Sequence, residues 1–220
     1  MNNYRYKISD IITNAEKYHK AYYDAETFRG PSLYSHRQSL EMSCSANFEL
    51  YLEYIYATLA SWGMHRMGKG GSKMQSFDVF KESILKIKDK IEKARKIKYQ
   101  KVTESDWKLL EEIFRGIKVM ASGTSIVGNS KVMAHIVPSI VPPIDREYTL
   151  RYLKGSTNIR NGIDYEWKLM KEIISEFFIP VAKGAGFVNK ANAWISNQSK
   201  YPWDTSIFKV IDNLVIGARK

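Results

Sequence analysis

The sequence predicts an all-α fold, a compact bundle of about nine or ten helices within one domain of residues 1–220. Apolar residues recur at helical spacing in most segments, and no segment shows a convincing strand alternation. The chain of 220 residues is 44% hydrophobic and 26% charged, which is typical of a soluble globular protein with a substantial core. The bundle is expected to form one lobe, or two lobes with residues 122–155 near the join.

The N-terminal helices are delimited by capping and stop residues. Ser9 is expected to cap a helix over residues 10–28, which the Gly30–Pro31 dipeptide stops. Proline is favoured in the first turn of a helix, so Pro31 would begin the second one. Residues 47–62 are apolar on nearly all sides and are therefore predicted to form the central buried helix.

Two basic segments follow this central helix. Residues 63–73 are rich in glycine and cations, so Lys69 and Lys73 are candidates for phosphate contacts, although a basic loop without a ligand is the alternative. Ser76 is expected to cap a helix over residues 77–98 that is strongly basic and amphipathic. The basic residues clustered in and after this helix are Lys86, Lys88, Lys90, Lys93, Arg95, Lys96, Lys98 and Lys101.

Four further helices are predicted along the chain, each with a cap or a stop signal. They are expected over residues 107–118, 165–178, 189–197 and 205–216. Thr103 and Asp106 would cap the first of them. Asp164 would cap the second and Asp204 the last. Pro180 is expected to end the second helix, because proline lacks the backbone donor that a helix requires.

Charge and composition limit the partners of the protein. The net charge of +11 indicates a polyanionic partner, with nucleic acid, DNA in particular, as the first choice and a solubility effect as the alternative. No apolar run approaches the ~20 residues that span a bilayer, and the N-terminus has no secretory h-region, so no membrane contact and a cytoplasmic location are expected. The single cysteine, Cys44, excludes an internal disulfide and a multi-cysteine zinc site. No cofactor or metal motif is present.

The stretch from residue 127 to residue 153 concentrates the candidate chemistry. Gly128, Asn129 and Ser130 are expected to form a turn ahead of a short helix, where free backbone amides can hold a phosphate. Three prolines then stiffen the connection to a second helix, which Asp145 can cap and which Arg146 begins. Residues 136–141 are the one piece of the chain that could be extended.

Three side chains in this stretch are candidate catalytic residues. Asp145 can act as a general base or can stabilise an oxocarbenium-like centre during N-glycosidic cleavage, and its alternative role is a helix cap. Lys131 can contact a phosphate or act as a Schiff-base nucleophile. His135 lies one helical turn beyond Lys131 and can serve in acid–base chemistry or as a hydrogen-bonded core residue. His65 is a second candidate for such a site.

Two resemblances rest on these residues. The run SKVMAHIVPSIVPPIDR resembles the SKxxxHxxP…PPxDR pattern of an uncharacterised prokaryotic helical family, and the run YATLASWGMHRMGKGGSKMQSFDVFKESI is similar to a second block of that family. Gly128, Lys131 and Asp145 also follow the order found in helix-hairpin-helix DNA glycosylases. This chain has a single glycine at the hairpin and an interval of 14 positions from the lysine to the aspartate, which is shorter than in those enzymes.

The glycosylase resemblance implies a nucleic-acid-binding enzyme that acts on a flipped base with Asp145 and Lys131. It requires a pocket beside Asp145, lined by Trp62, Tyr148 or Trp167. The alternatives are a non-catalytic helical nucleic-acid-binding module and a small-molecule or protein-interaction domain whose basic charge is incidental. The sequence leaves the substrate base and the oligomeric state open.

Overall fold

The computed structural model describes residues 4–26, 30–44, 47–64 and 73–220. Within these ranges every regular element is helical, apart from one antiparallel bridge between Met74 and Met120, so the all-α prediction is confirmed. No helix in these ranges is both long and apolar enough to cross a membrane. The α-helices are α1 (Tyr4–Thr13), α2 (Ala15–Ala25), α3 (Pro31–Glu41), α4 (Phe48–Leu59), α5 (Phe77–Leu85), α6 (Lys88–Ala94), α7 (Glu104–Gly116), α8 (Ser125–Ile136), α9 (Arg151–Lys154), α10 (Ile163–Ile173), α11 (Ile179–Ala182), α12 (Phe187–Ile195) and α13 (Ile207–Gly217).

The described ranges hold more helices than the nine or ten predicted, because two predicted helices are broken. The first begins at α1 and breaks at Asn14, whose side chain bonds back to the backbone carbonyl and the carboxylate of Asp10 at 3.2 and 2.9 Å. The basic helix breaks at Ile87, which has non-helical φ and ψ and packs tightly on Gly116. The contact of Ile87 with Gly116 joins residues far apart in the sequence, so the local sequence pattern does not predict this break.

Some caps lie where the sequence predicts them and others do not. Ser76 caps α5, and Thr103 with Asp106 forms a reciprocal capping box on α7. Ser9 lies inside α1, so its predicted cap is wrong. Asp204 is not the cap of α13 either, because Ser206 accepts the hydrogen bond from the helix amide at 3.1 Å.

The segment Ala60–Met64 after α4 is bent at Trp62 and Gly63, which have non-helical φ and ψ, whereas the turns at Arg146–Leu150 and Ile174–Phe178 are π-helical. The last of them joins α10 directly to α11, so the helix continues through Pro180 and the predicted stop is wrong. A wider turn ahead of the proline is one way in which a helix tolerates the missing donor.

Helix α13 lies at the centre of the packing. It is buried along most of its length and packs against α2, where a Cβ at Gly217 would lie 1.9 Å from the carbonyl oxygen of Tyr18. Only glycine allows two backbones to approach this closely. Apolar side chains from every α-helix except α3 belong to one continuous hydrophobic core. The helix therefore brings its few polar residues into the interior of the molecule.

Candidate functional site

The structure brings Lys131 and Asp145 together, with 3.6 Å between Nζ of the lysine and Oδ2 of the aspartate. Lys131 lies in the middle of α8, and the chain turns after that helix and returns through buried Pro142 and Pro143. The Ile144 amide donates to the Ser130 hydroxyl at 3.0 Å, which ties the returning segment to the helix beside the lysine. Residues 137–140 form a turn rather than the extended piece that the sequence allowed.

Asp145 caps the π-helical turn that follows it, as the sequence predicts. Its Oδ1 accepts hydrogen bonds from the amides of Glu147 and Tyr148 at 2.8 and 3.3 Å. No described residue donates a hydrogen bond to Oδ2, the oxygen on the side of Lys131. The side chain is 34% exposed. Asp145 thus has one oxygen engaged in the fold and one available for chemistry.

Lys131 holds a buried ammonium group. The residue is only 7% exposed, and its Nζ forms no hydrogen bond within 3.5 Å in the described part of the chain. The Trp62 ring centre lies 5.6 Å from Nζ, within the range of a cation–π contact. The ion pair with Asp145 offsets part of the cost of burying this charge, and an ammonium carries three donors, for which no described residue supplies a hydrogen-bond acceptor. All three remain available to a ligand.

Both residues line a cavity of about 360 Å³. Its aromatic lining consists of Tyr22, Trp62, Tyr148 and Trp203. Trp62 and Tyr148 therefore line a pocket beside Asp145, as the glycosylase resemblance requires. Trp167 does not, because it packs in the core against Trp107 and Phe114. Pockets for small molecules commonly have volumes of ~300–1,000 Å³ and mostly apolar walls with a few polar groups.

A second lysine–aspartate pair lines the same cavity and was missed in the sequence. Lys209 and Asp212 of α13 form a buried ion pair, with 2.8 Å between Nζ and Oδ2, and Lys209 also donates to Asn213. Burial raises the pKa of the Asp212 carboxyl, and Lys209 acts against that rise. The available signal was a lysine three residues before an aspartate inside the otherwise apolar run IFKVIDNLVI.

His135 lies away from this cavity, within a chain of buried hydrogen bonds. Its Nδ1 donates to the Lys131 carbonyl at 2.7 Å, so its Nε2 must accept from Nδ1 of His36 at 3.0 Å if both rings are neutral. Nε2 of His36 is 3.3 Å from the Thr205 hydroxyl, which then acts as the donor. Burial lowers the pKa of His135 to about 4 and also lowers the pKa of His36. The pair holds α8 in place and is neutral at physiological pH.

The predicted phosphate-binding turn does not exist. Helix α8 begins at Ser125, so Gly128, Asn129 and Ser130 lie inside it and are buried. A Cβ at Gly128 would lie within 3 Å of side-chain atoms of Val119 and Met120, which accounts for the glycine by packing. Their amides belong to the helix, and the prediction that they are free to hold a phosphate is wrong.

The remaining candidates for nucleic-acid contacts are dispersed. Arg146 donates to the Thr124 hydroxyl at 2.7 Å and to the Thr157 carbonyl at 3.4 Å, so it braces the chain and does not line the cavity. The side chain of Lys73 is exposed next to the Met74 bridge. Lys69 and His65 lie outside the described residues.

The predicted basic segment lies on the surface. The exposed cations are Lys86, Lys88, Lys93, Lys96, Lys98 and Lys101. Lys90 is paired with Glu112 at 2.7 Å, and Arg95 with Glu92 at 3.0 Å. In the described ranges, no group of three or more histidine, cysteine, aspartate or glutamate side chains is placed to hold a metal ion.

Comparison with known proteins finds no relative of this chain. No protein-family model matches the chain, and neither the curated proteins nor the solved structures contain a significantly similar one.

Proposed function

We propose that the protein binds nucleic acid and cleaves the N-glycosidic bond of a nucleotide flipped into the cavity beside Lys131 and Asp145. The observation that carries the proposal is the ion pair of Lys131 with Asp145 at the wall of the cavity, in which Nζ and Oδ2 lie 3.6 Å apart and neither atom forms a hydrogen bond with a described residue. A few polar groups with free hydrogen-bonding capacity in a largely apolar cavity are typical of sites that bind a ligand.

The cavity suits a planar aromatic ligand. Four aromatic side chains line it, and bases removed from a duplex are commonly held by stacking on aromatic groups. Its volume of about 360 Å³ lies within the usual range for small-molecule sites. The net charge of +11 and the exposed lysines between residues 86 and 101 would attract the phosphate backbone that carries the nucleotide.

Asp145 would supply the catalytic carboxylate. As the bond between the sugar C1′ and the base nitrogen breaks, positive charge develops on the sugar, and a carboxylate stabilises it. Oδ2 would also accept a proton from water while the water oxygen bonds to C1′, and the departing base would take up a proton from the protonated carboxyl or from solvent. The capping bonds on Oδ1 fix the carboxylate for this role.

Lys131 would position the reacting groups. Its three donors can hold the attacking water, a sugar oxygen or a phosphate oxygen near Asp145. Attack of the Lys131 nitrogen on C1′ is the other route: the bond from C1′ to the base breaks, the base takes up a proton that the amine loses, and opening of the C1′–O4′ bond of the sugar ring leaves a Schiff base between Lys131 and C1′. Borohydride trapping of a protein–DNA adduct distinguishes the two routes.

The direct test is incubation of the protein with a panel of duplexes, each holding one damaged base, followed by alkaline cleavage at abasic sites. Wild-type protein should release at least one base, and Asp145→Asn should release none while still binding the same duplex. Asp24→Asn, on an exposed carboxylate paired with Lys20, is the matched control and should behave as wild type. Equal release by wild type and Asp145→Asn would refute the proposal.

One observation favours a non-catalytic binding module as the second candidate. Asp145 already has a complete structural role as the cap of the Arg146–Leu150 turn. If wild-type protein binds duplexes with a steep salt dependence and releases no base from the panel, the module is the correct description. Absence of nucleic-acid binding would leave a small-molecule or protein-interaction domain.

A further inference from the structure

The α13 face of the cavity contains polar atoms that the proposed chemistry does not use. Asp212 is 4% exposed, and Lys209 is 8% exposed, yet both line the cavity. They lie one helical turn apart on a helix that is otherwise largely apolar. Polar groups at such positions require either a structural or a binding explanation.

A structural role, anchoring the loop ahead of α13, accounts for Asn213 but not for Asp212. Asn213 donates to the Trp203 carbonyl at 3.3 Å and to the Asp204 carboxylate at 2.8 Å, so it anchors the loop ahead of α13. Lys209 donates to Asp212 and Asn213. Asp212 forms no hydrogen bond to that loop, and the one from Lys209 to Oδ2 is its only side-chain hydrogen bond with a described residue. Anchoring the loop therefore does not explain Asp212.

Two hydrogen-bonding positions are left over. Oδ1 of Asp212 accepts no hydrogen bond from any described residue, and Lys209 uses two of its three ammonium donors. Burial raises the pKa of Asp212, but the direct bond from Lys209 favours the ionised form, which can only accept hydrogen bonds. The face thus offers an acceptor next to a donor.

We infer that Asp212 is a base-selecting residue, whose Oδ1 accepts a hydrogen bond from an N–H group on the edge of the bound nucleobase. Lys209 donates its remaining N–H to the neighbouring acceptor on that edge. The ligand class is a nucleobase with a donor beside an acceptor, and a base without the donor leaves a buried carboxylate oxygen unpaired. The inference rests on the proposed use of the cavity for a nucleobase and adds which edge the protein recognises.

The test uses free bases and the full-length protein, so it requires neither DNA binding nor catalysis. Calorimetric titration compares adenine with purine and cytosine with 2-pyrimidinone, two pairs in which the second base lacks the amino donor. Uracil and 3-methyluracil form a third pair, in which the ring N–H is lost. Wild-type protein should bind the donor-bearing member of at least one pair about tenfold or more tightly, as expected for a hydrogen bond to a charged group.

Asp212→Asn should bind both members of that pair within about threefold of each other, since the amide can rotate to present either a donor or an acceptor. Asp24→Asn should keep the wild-type preference, and thermal melting shows whether each variant is folded. The inference is overturned if wild-type protein prefers no donor-bearing base, or if folded Asp212→Asn keeps the preference. A preference for one base without any base release from DNA would support the inference while refuting the proposed glycosylase activity.

Discussion

Replacing Lys131 by an apolar residue is expected to remove function and to raise the stability of the protein, because no described residue accepts a hydrogen bond from its ammonium group. Lys131→Met replaces a buried charge that has no hydrogen bond with an apolar side chain of similar length. Replacing buried ionic groups by well-packed apolar ones is often neutral or stabilising by ~1–4 kcal/mol. Asp145 keeps two backbone partners and is 34% exposed, so the loss of Lys131 does not leave it as a buried unpaired charge. We therefore expect the free energy of unfolding to rise by about 1 kcal/mol.

Lys209→Met is the matched comparison, because it removes the other buried lysine of the same cavity. Here the lysine has two hydrogen-bonded partners, and Asp212 would remain buried without its only side-chain hydrogen bond with a described residue. Breaking a buried pair in this way costs ~3–5 kcal/mol. The two substitutions are chemically identical and are expected to change stability in opposite directions.

Urea denaturation followed by circular dichroism measures both effects at pH 7. For a chain of this size, 1 kcal/mol corresponds to ~2–4 °C in the melting temperature, so thermal melting gives an independent reading. If Lys131→Met lowers the free energy of unfolding by more than about 1 kcal/mol, Lys131 is a structural ion-pair partner and the reasoning is refuted.

Three further predictions concern the buried histidines, the basic surface and the packing of α13. Because the folded pKa of His135 is lowered to about 4 from 6.5, the unfolded chain takes up the proton first, and the contribution of His135 to stability should fall by about 2 kcal/mol between pH 8 and pH 5. His36 adds to the fall in the same direction, so urea titration of His135→Gln should show a smaller fall than wild type, and an equal fall in both would contradict the prediction. Replacing Lys96, Lys98 and Lys101 together by glutamine should make the slope of log affinity for duplex DNA against log salt concentration less steep by about 2–3. Fluorescence-anisotropy titration measures this slope, and an unchanged slope would show that these lysines do not contact the DNA. Gly217→Ala should lower the melting temperature by several degrees, because its Cβ would meet the Tyr18 carbonyl, and an unchanged melting temperature would show that α2 can move away.

The sequence predicted the helical class and several local signals well. The helix predicted to begin at Pro31 does so, the helix predicted over residues 47–62 lies close to its observed bounds, and the capping box at Thr103 and Asp106 is present. These features depend on neighbouring residues alone, which is why periodicity and capping patterns predict them. Asp145 as the cap of the following turn belongs to the same group.

Several errors arise where the structure overrides a local sequence preference. Gly128 was interpreted as a turn residue, but it lies within α8 because neighbouring side chains leave no room for a Cβ. Pro180 was interpreted as a stop, but a π-helical turn carries the helix through it. Asp204 resembled a cap, but it is buried against His19 and Asn213. At Gly128 and Asp204 tertiary contacts override a local preference, whereas at Pro180 a local change of helix type accommodates the proline.

The candidate site was predicted in part. The stiff corner between Lys131 and Asp145 was identified from the chain itself, and the structure places the two side chains at one cavity. The sequence does not link the other cavity residues, Trp203, Lys209 and Asp212, to Lys131 and Asp145, because they lie about 60–80 residues further along the chain. The folded chain brings them to the same cavity.

The most direct test of the central claim is single-turnover release of a damaged base, measured with Asp145→Asn and wild-type protein at saturating enzyme, together with the dissociation constant for the same duplex. The rate constant for base release should fall by a factor of about 100 or more, as for loss of a group that stabilises developing charge, while the dissociation constant changes less than about twofold. An unchanged rate constant, or a loss of rate that is fully explained by weaker DNA binding, would contradict the assignment of this cavity as a site of N-glycosidic cleavage.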